Sequence, residues 1–411
     1  MHEQSPTPVS LLGLTNHRNA CLAFGIRQPD RLSHMYVIGK TGVGKSTLIE
    51  VLARQDLEAG RGFALIDPHG ELAEKVARRA LAEERSQVIY LNAPDACCPY
   101  GYNPLRRVRD DKIPLAVSGF LETLKKLWPN AWGVRMEHVL RNSLFALMER
   151  DDAKLPDILR LYTDDDYRKM IVGSIRNEVV RSFWTDEFEH YPARLRAEAI
   201  APIQNKLGAL LSDPMLYRTL VEPQVDLHFR SIMDEGKVLI VNLSKGQIGE
   251  DSALVLGGLL VSTMALAAYS RADTSSDTRR PFSLYLDEFH NFTTLMLANM
   301  MSELRKYGIG LVLAHQYIHQ LEPDIRHAVL GNAGTVISFR VGPEDAAVLA
   351  GEFQPVFDTL DLLNLPNRSI YLKLMVEGTP SRPFSGTTLA VEYPEAEIGA
   401  PDGHTGSNWG A

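Results

Sequence analysis

The sequence predicts an α/β fold with a mostly parallel sheet, interrupted by an all-α insertion domain. Three observations carry this. Apolar, β-branched runs alternate with helical stretches through the first hundred residues. From about Asp110 to Glu235, helical periodicity repeats without a convincing strand. Beyond that the alternation resumes. The 411 residues, 45% hydrophobic and 23% charged, are ample for two units, the insertion being large enough for a small core of its own.

In chain order, MYVIG (35–39) reads as the first strand and is followed by a helix from Lys45 to about Ala59. FALID (63–67), a helix from Glu71 to about Glu84 and QVIYLN (87–92) come next, a pattern of parallel βαβ units. In the insertion, Ile113 to Trp128, Arg135 to Glu149 and Glu198 to Leu211 space their apolar residues at three and four. Pro129, Pro156, Pro192 and Pro214 punctuate these helices. VLIVNL (238–243), an apolar helix, SLYLD (283–287), a helix over Met296–Lys306, GLVLAH (310–315), VISFRV (336–341) and SIYLKLMV (369–376) complete the sheet. The expected organisation is an N-terminal segment 1–34, a split α/β domain 35–109 and 236–390, an all-α insertion 110–235 and a tail 391–411. The tail holds Glu392, Glu395, Glu397 and Asp402 without Lys or Arg, and it reads as disordered.

A net charge of −8 excludes a basic protein that coats nucleic acid, but half of that charge lies in the tail, which leaves room for a local basic channel. Cys21, Cys97 and Cys98 form neither a disulfide framework nor a zinc-ligand pattern, in keeping with a reducing compartment. Residues 252–270 run uncharged for nearly the ~20 residues that span a bilayer. Lying between two apolar strands, this run is expected to be a buried helix and not a membrane span.

Gly39-Lys40-Thr41-Gly42-Val43-Gly44-Lys45-Ser46 fits the phosphate-loop pattern GxxxxGK[ST], with a strand before it and a helix after it. Glycines let the backbone N–H groups turn around phosphate oxygens, and the helix N-terminus adds positive potential. Gly39, Thr41, Gly42, Val43, Gly44, Lys45, Ser46 and Thr47 are therefore the candidate nucleotide contacts. Lys45 is the group that reaches the β- and γ-phosphates, and Ser46 the ligand for Mg²⁺. The strand Phe282–Leu286 ends in Asp287-Glu288, where Asp287 would complete the metal site and Glu288 would polarise the attacking water. Gln316 ends the strand GLVLAH, where its amide is a candidate γ-phosphate sensor, and Arg305 closes the preceding helix.

Three motifs are decoys. Asp-Glu-Phe-His (287–290) imitates a DExH helicase box without the second motor lobe. Leu243-Ser244-Lys245-Gly246-Gln247 imitates a transporter signature at the wrong spacing, and Asn205-Lys206-Leu207-Gly208 lacks the aspartate that reads guanine.

The ordered blocks GKTGVGKST (39–47), LIDPHGEL (65–72), YNPL (102–105), WGVRMEHVLRNSLFALME (132–149), VLIVNLSKG (238–246), LYLDEFHNF (284–292), ELRKYGIGLVLAHQY (303–317) and LGNAGTVISFRVGPEDA (330–346) resemble the FtsK–HerA superfamily of ring ATPases. Within it, the chain is most similar to the conjugative coupling proteins of type IV secretion. The resemblance implies a RecA-like P-loop NTPase domain that uses ATP and Mg²⁺ and assembles as a hexamer. It also implies DNA threaded through a central pore, Arg305 acting in trans on a neighbour's nucleotide, and Gln316 as the third nucleotide motif. Partners would be DNA, further copies of the chain, and a secretion channel, relaxosome or nuclease. Coupling proteins usually begin with two transmembrane helices, whereas about 34 polar-to-mixed residues precede the first predicted strand here. The expectation is a cytoplasmic protein whose membrane association comes through partners, or a soluble HerA-like relative working with a nuclease. A separate reading is an ATP-switched adaptor that recruits a protein through the helical insertion. The basic runs Arg106-Arg107-Arg109 and Arg271-Arg279-Arg280 are weak candidates for pore lining, since most such runs are solvated surface. Asp67 is a plausible near-site group, and His69 reads as a turn residue.

Overall fold

The computed structural model describes residues 8–17, 21–82 and 87–391. Eleven strands form one sheet: β1 (Val9–Thr15), β2 (Ala23–Arg27), β3 (Met35–Ile38), β4 (Phe63–Asp67), β5 (Val88–Asn92), β6 (Val238–Asn242), β7 (Phe282–Leu286), β8 (Ile309–His315), β9 (Thr335–Ser338), β10 (Ser369–Lys373) and β11 (Phe384–Thr388). Their order is β2-β1-β11-β10-β9-β3-β8-β7-β4-β6-β5. Every pairing from β9 to β5 is parallel, and every pairing from β2 to β9 is antiparallel.

The helices used below are α1 (Lys45–Glu58), α2 (Glu71–Ala82), α3 (Ile113–Leu127), α4 (Glu250–Ser270) and α5 (Leu295–Leu304). Central strands such as MYVI and FALID are buried along their whole length, because helices cover both faces of the sheet. Alternation along β3 sends Met35 and Val37 into one core with α1 and α2, and Tyr36 and Ile38 into another. That second core is continuous with the insertion, where Phe120, Leu144, Trp184 and Ile203 belong to the same cluster as Ile66 and Val241. The insertion therefore does not hold an isolated core of its own; it shares one with the sheet.

The uncharged run 252–270 falls in α4, which is long and apolar enough to cross a membrane. Here most of it is buried, with Leu256 and Leu260 fully so. Gly258 is where α4 meets α3: a Cβ there would lie 2.7 Å from the Thr123 methyl. The predicted helix boundaries differ from the observed ones by a few residues.

The larger differences are at the chain ends. The stretch expected to precede the sheet contains β1 and β2, and β1 pairs with β11, a strand the sequence reading did not single out. Both lie on the antiparallel side, where partly exposed strands lack the long apolar runs of the centre. The run at 369–376 divides into β10 and a separate two-residue strand, Met375–Val376. Within the helical region, Val225–Asp226 pairs with Tyr100–Gly101, joining the entry and exit of the insertion. The tail from 392 onward lies outside the described residues.

Candidate functional site

The phosphate-loop sequence spans the turn from β3 into α1. Gly42 (φ 77°) and Gly44 (φ 119°) occupy the left-handed region, which L side chains rarely adopt. At Gly39 the constraint is space, because a Cβ would lie 2.6 Å from Phe339 Cβ. Lys45 donates to the carbonyls of Gly39 (2.6 Å) and Lys40 (3.1 Å) across the loop. Burial lowers the pKa of its ammonium, against the opposing charges of Glu288 and Asp287.

The parallel sheet brings the second half of the chain to this turn. β8 lies beside β3, and β7 lies beside β8, so the C-terminal ends of all three meet at one edge. α/β sheets place ligands at such an edge. There the Ser46 hydroxyl donates to Asp287 Oδ2 at 2.9 Å, and Gln316 Nε2 donates to Glu288 Oε1 at 3.0 Å. A cavity of about 460 Å³ is lined by Thr41, Gly44, Ser46, Thr47, Glu288 and Gln316 among others. Val43 is instead packed into the core beneath the loop.

The carboxylates are crowded. Burial, together with Asp67 and Glu288, pushes the Asp287 carboxyl up to about 7, although Ser46 and Lys45 act in the other direction. Asp67 is spent on structure: it accepts the N–H groups of His69 (2.8 Å), Leu72 (2.9 Å) and Ala73 (3.0 Å), which caps α2. His69 lies in the bend after β4, as expected of a turn residue, and lines the cavity together with Asp67. Glu288 holds a left-handed backbone (φ 45°), a strain on the order of 1–3 kcal/mol of the sort that clusters at functional sites. A hydroxyl and a buried, under-compensated carboxylate beside a glycine-lined turn suit a divalent cation and a polyphosphate.

Arg305 is not brought to this site within the chain. It is exposed just before β8 begins, whereas Gln316 follows the end of that strand. Seven residues of strand separate the two ends by on the order of 20 Å.

The basic runs are occupied elsewhere. Arg271 is fully buried and donates to Asp234 (2.8 Å) and to the carbonyls of Tyr307 (2.9 Å) and Arg280 (2.7 Å). Arg279 and Arg280 donate to the carbonyls of Lys306 and Glu235. Arg106 reaches the Leu227 carbonyl at 2.9 Å, while Arg107 and Arg109 pair with Asp151 and Asp111. Sequence composition gives no sign of this, since a run of arginines reads alike whether it holds carbonyls or faces solvent.

The fold is shared with known proteins. The plasmid coupling protein TrwB in complex with the non-hydrolysable GTP analogue GDPNP matches with a TM-score of 0.65 at 17% identity, over 95% of this chain and 97% of that one. TrwB in complex with ADP and Mg²⁺ matches with a TM-score of 0.65 at 17% identity, over 95% and 96%. VirB4 of Thermoanaerobacter pseudethanolicus matches with a TM-score of 0.59 at 14% identity, over 94% and 98%. No curated protein sequence matches the chain. The family model for the type IV secretion-system coupling protein DNA-binding domain matches residues 26–353, most of the sequence. With phosphate loop, acidic pair and glutamine assembled on one sheet edge and a helical insertion beside them, the chain belongs to the type IV secretion-system coupling protein DNA-binding domain family.

Proposed function

We propose that the protein is an ATP-hydrolysing, DNA-translocating motor that works as a hexameric ring in conjugative DNA transfer or type IV secretion. The observation that carries this reading is the meeting of Ser46 with Asp287, and of Glu288 with Gln316, on the cavity bounded by the glycine-rich turn. The backbone of residues 39–47 cradles the phosphates, and Lys45 turns from the loop carbonyls toward them. Ser46 and Asp287 hold Mg²⁺, whose charge offsets that of the phosphates. Glu288 accepts the proton of the attacking water, with its Oε1 held by the Gln316 amide. Arg305, on the opposite end of the sheet, serves the nucleotide of a neighbouring copy. Family membership supports the assignment to secretion. The all-α insertion 110–235, whose core is continuous with that of the sheet, is the candidate for recognising cargo.

The test is ATP turnover with and without DNA, at protein concentrations on both sides of assembly. We expect DNA to stimulate hydrolysis, Lys45→Ala to abolish turnover and Glu288→Gln to bind ATP without turning it over. Turnover indifferent to DNA and to protein concentration would sink the motor reading.

A further inference from the structure

The acidic pair is followed by His290, a residue that the motor reading leaves without a task. Its surroundings give it one. Glu288 is 5% exposed. Its Oε1 is held by Gln316, but its buried Oε2 has no hydrogen-bond partner among the described residues. Facing that oxygen at 3.4 Å is Nδ1 of His290, itself buried and without a hydrogen-bond partner.

The proton on this ring can be placed. Gln320 Oε1 accepts the backbone N–H of Tyr317 (3.2 Å), which orients the amide so that Nε2 points the other way. That Nε2, able only to donate, lies 3.2 Å from His290 Nε2. His290 Nε2 is therefore the acceptor, and the ring hydrogen sits on Nδ1, the ring nitrogen that lies 3.4 Å from Glu288 Oε2. Burial, with Lys126 and Lys245 nearby, holds the His290 pKa down at about 4, so the ring is neutral. At 3.4 Å the contact is longer than a made hydrogen bond, as catalytic contacts often are before substrate tightens them.

The backbone of His290 is held from the insertion. Lys126, near the end of α3, donates to the carbonyls of His290 and of Thr293, the latter at 3.0 Å. One helical turn earlier, Glu122 Oε2 accepts the N–H of Met296 at 2.9 Å. The insertion's first helix thus grips both ends of the segment that runs from the acidic pair into α5.

We infer that His290 is a positioning residue that holds the second oxygen of Glu288, and that α3 seats it through Lys126, so that the placement of the insertion bears on the hydrolytic carboxylate. This rests on the reading of Glu288 as the group that takes the proton of water.

The test uses the full chain and compares kcat with KM for ATP. Asparagine carries an N–H close to the place of Nδ1, and glutamine carries one close to that of Nε2. We expect His290→Asn to keep kcat within about threefold, and His290→Gln to lose roughly 10- to 100-fold, with KM unchanged in both. Gln320→Met, which frees the tautomer, and Lys126→Gln, which frees the carbonyls, should each lower kcat by roughly threefold to tenfold at unchanged KM. Should His290→Gln fail to fold, these last two carry the test. Wild-type kcat in the variants while Glu288→Gln is inactive would overturn the inference and leave the Glu288 reading standing. Loss of ATP affinity in step with kcat would also overturn it, because that is what a merely structural histidine gives. Normal turnover by Glu288→Gln would instead remove the reading beneath it.

Discussion

Asp56 and Asp287 are both buried carboxylates at opposite ends of the same parallel strands, and their surroundings act on them in opposite directions. Asp56, near the end of α1, takes both guanidinium branches of Arg31 (2.6 and 2.8 Å), Arg61 Nε (2.6 Å) and the Tyr285 hydroxyl (2.5 Å). Burial by itself would raise its pKa, but the Arg31 charge, the hydrogen bonds and Arg61 outweigh that and lower it. Among the described residues, Asp287 has one hydroxyl and one backbone N–H as donors, and two further carboxylates for neighbours. Equal burial therefore yields a satisfied structural pair at one end of the sheet and an excess of negative charge at the other. The contrast separates what holds the sheet together from what prepares it for a cation, since a buried charge persists without full compensation mainly where function requires it.

Three measurements break or sharpen this contrast. The largest effect is expected from Asp56→Ala, which leaves the buried Arg31 without its carboxylate. We expect a loss of about 3–5 kcal/mol in the free energy of unfolding by denaturant. A loss below about 1 kcal/mol would mean that Asp56 is no better compensated than Asp287.

His34, at the same end of the sheet, comes next. Its Nδ1 accepts the Leu311 N–H at 3.1 Å, which leaves Nε2 to donate to the Met301 carbonyl at 2.7 Å. Burial holds its pKa down at about 4, the Met301 carbonyl opposing and Arg305 adding to the depression. A folded-state pKa below the unfolded value means that the contribution is present above pH ~6.5 and lost as pH falls toward 4, roughly 3 kcal/mol in all. Asparagine tolerates the left-handed φ of 63° at this position and can accept the Leu311 N–H without titrating. His34→Asn should therefore flatten the fall in stability across that window; an unchanged acid limb would rule His34 out as its source.

Asp287→Asn should act with the opposite sign. A folded pKa of about 7, above the unfolded value, means that the contribution is present below pH ~4 and lost as pH rises through 7. At pH 8, nucleotide-free Asp287→Asn should melt a few degrees above the wild type while losing Mg²⁺-dependent turnover. A lower melting temperature would show that Asp287 is as well paired as Asp56.

Much of the nucleotide edge was legible because its signals are short-range. The positive φ at Gly42 and Gly44 belongs to the loop motif itself, and the strand ending in Asp287-Glu288 is a continuous apolar run followed by two acids. Less legible was whatever depends on a partner far along the chain. Arg271 looked like surface and is buried, and His290 looked like the last residue of a borrowed helicase motif but faces Glu288. Lys126, one of several charged residues on an amphipathic helix, carried no signal that it holds the carbonyls after the acidic pair.

By itself, then, the sequence determined the α/β alternation, the helical interruption, the turn chemistry of residues 39–47 and the acidic strand end. Each of these follows from side-chain periodicity or backbone freedom within a few residues. Tertiary structure alone decided that Ser46 meets Asp287 across 241 residues, that β1 closes on β11, and that Arg305 sits at the far end of the strand from Gln316. The reason is physical: hydrophobic periodicity says which face of an element is buried, but not which element buries it. Strand order supplies that choice, and strand order brings distant polar groups within hydrogen-bonding distance.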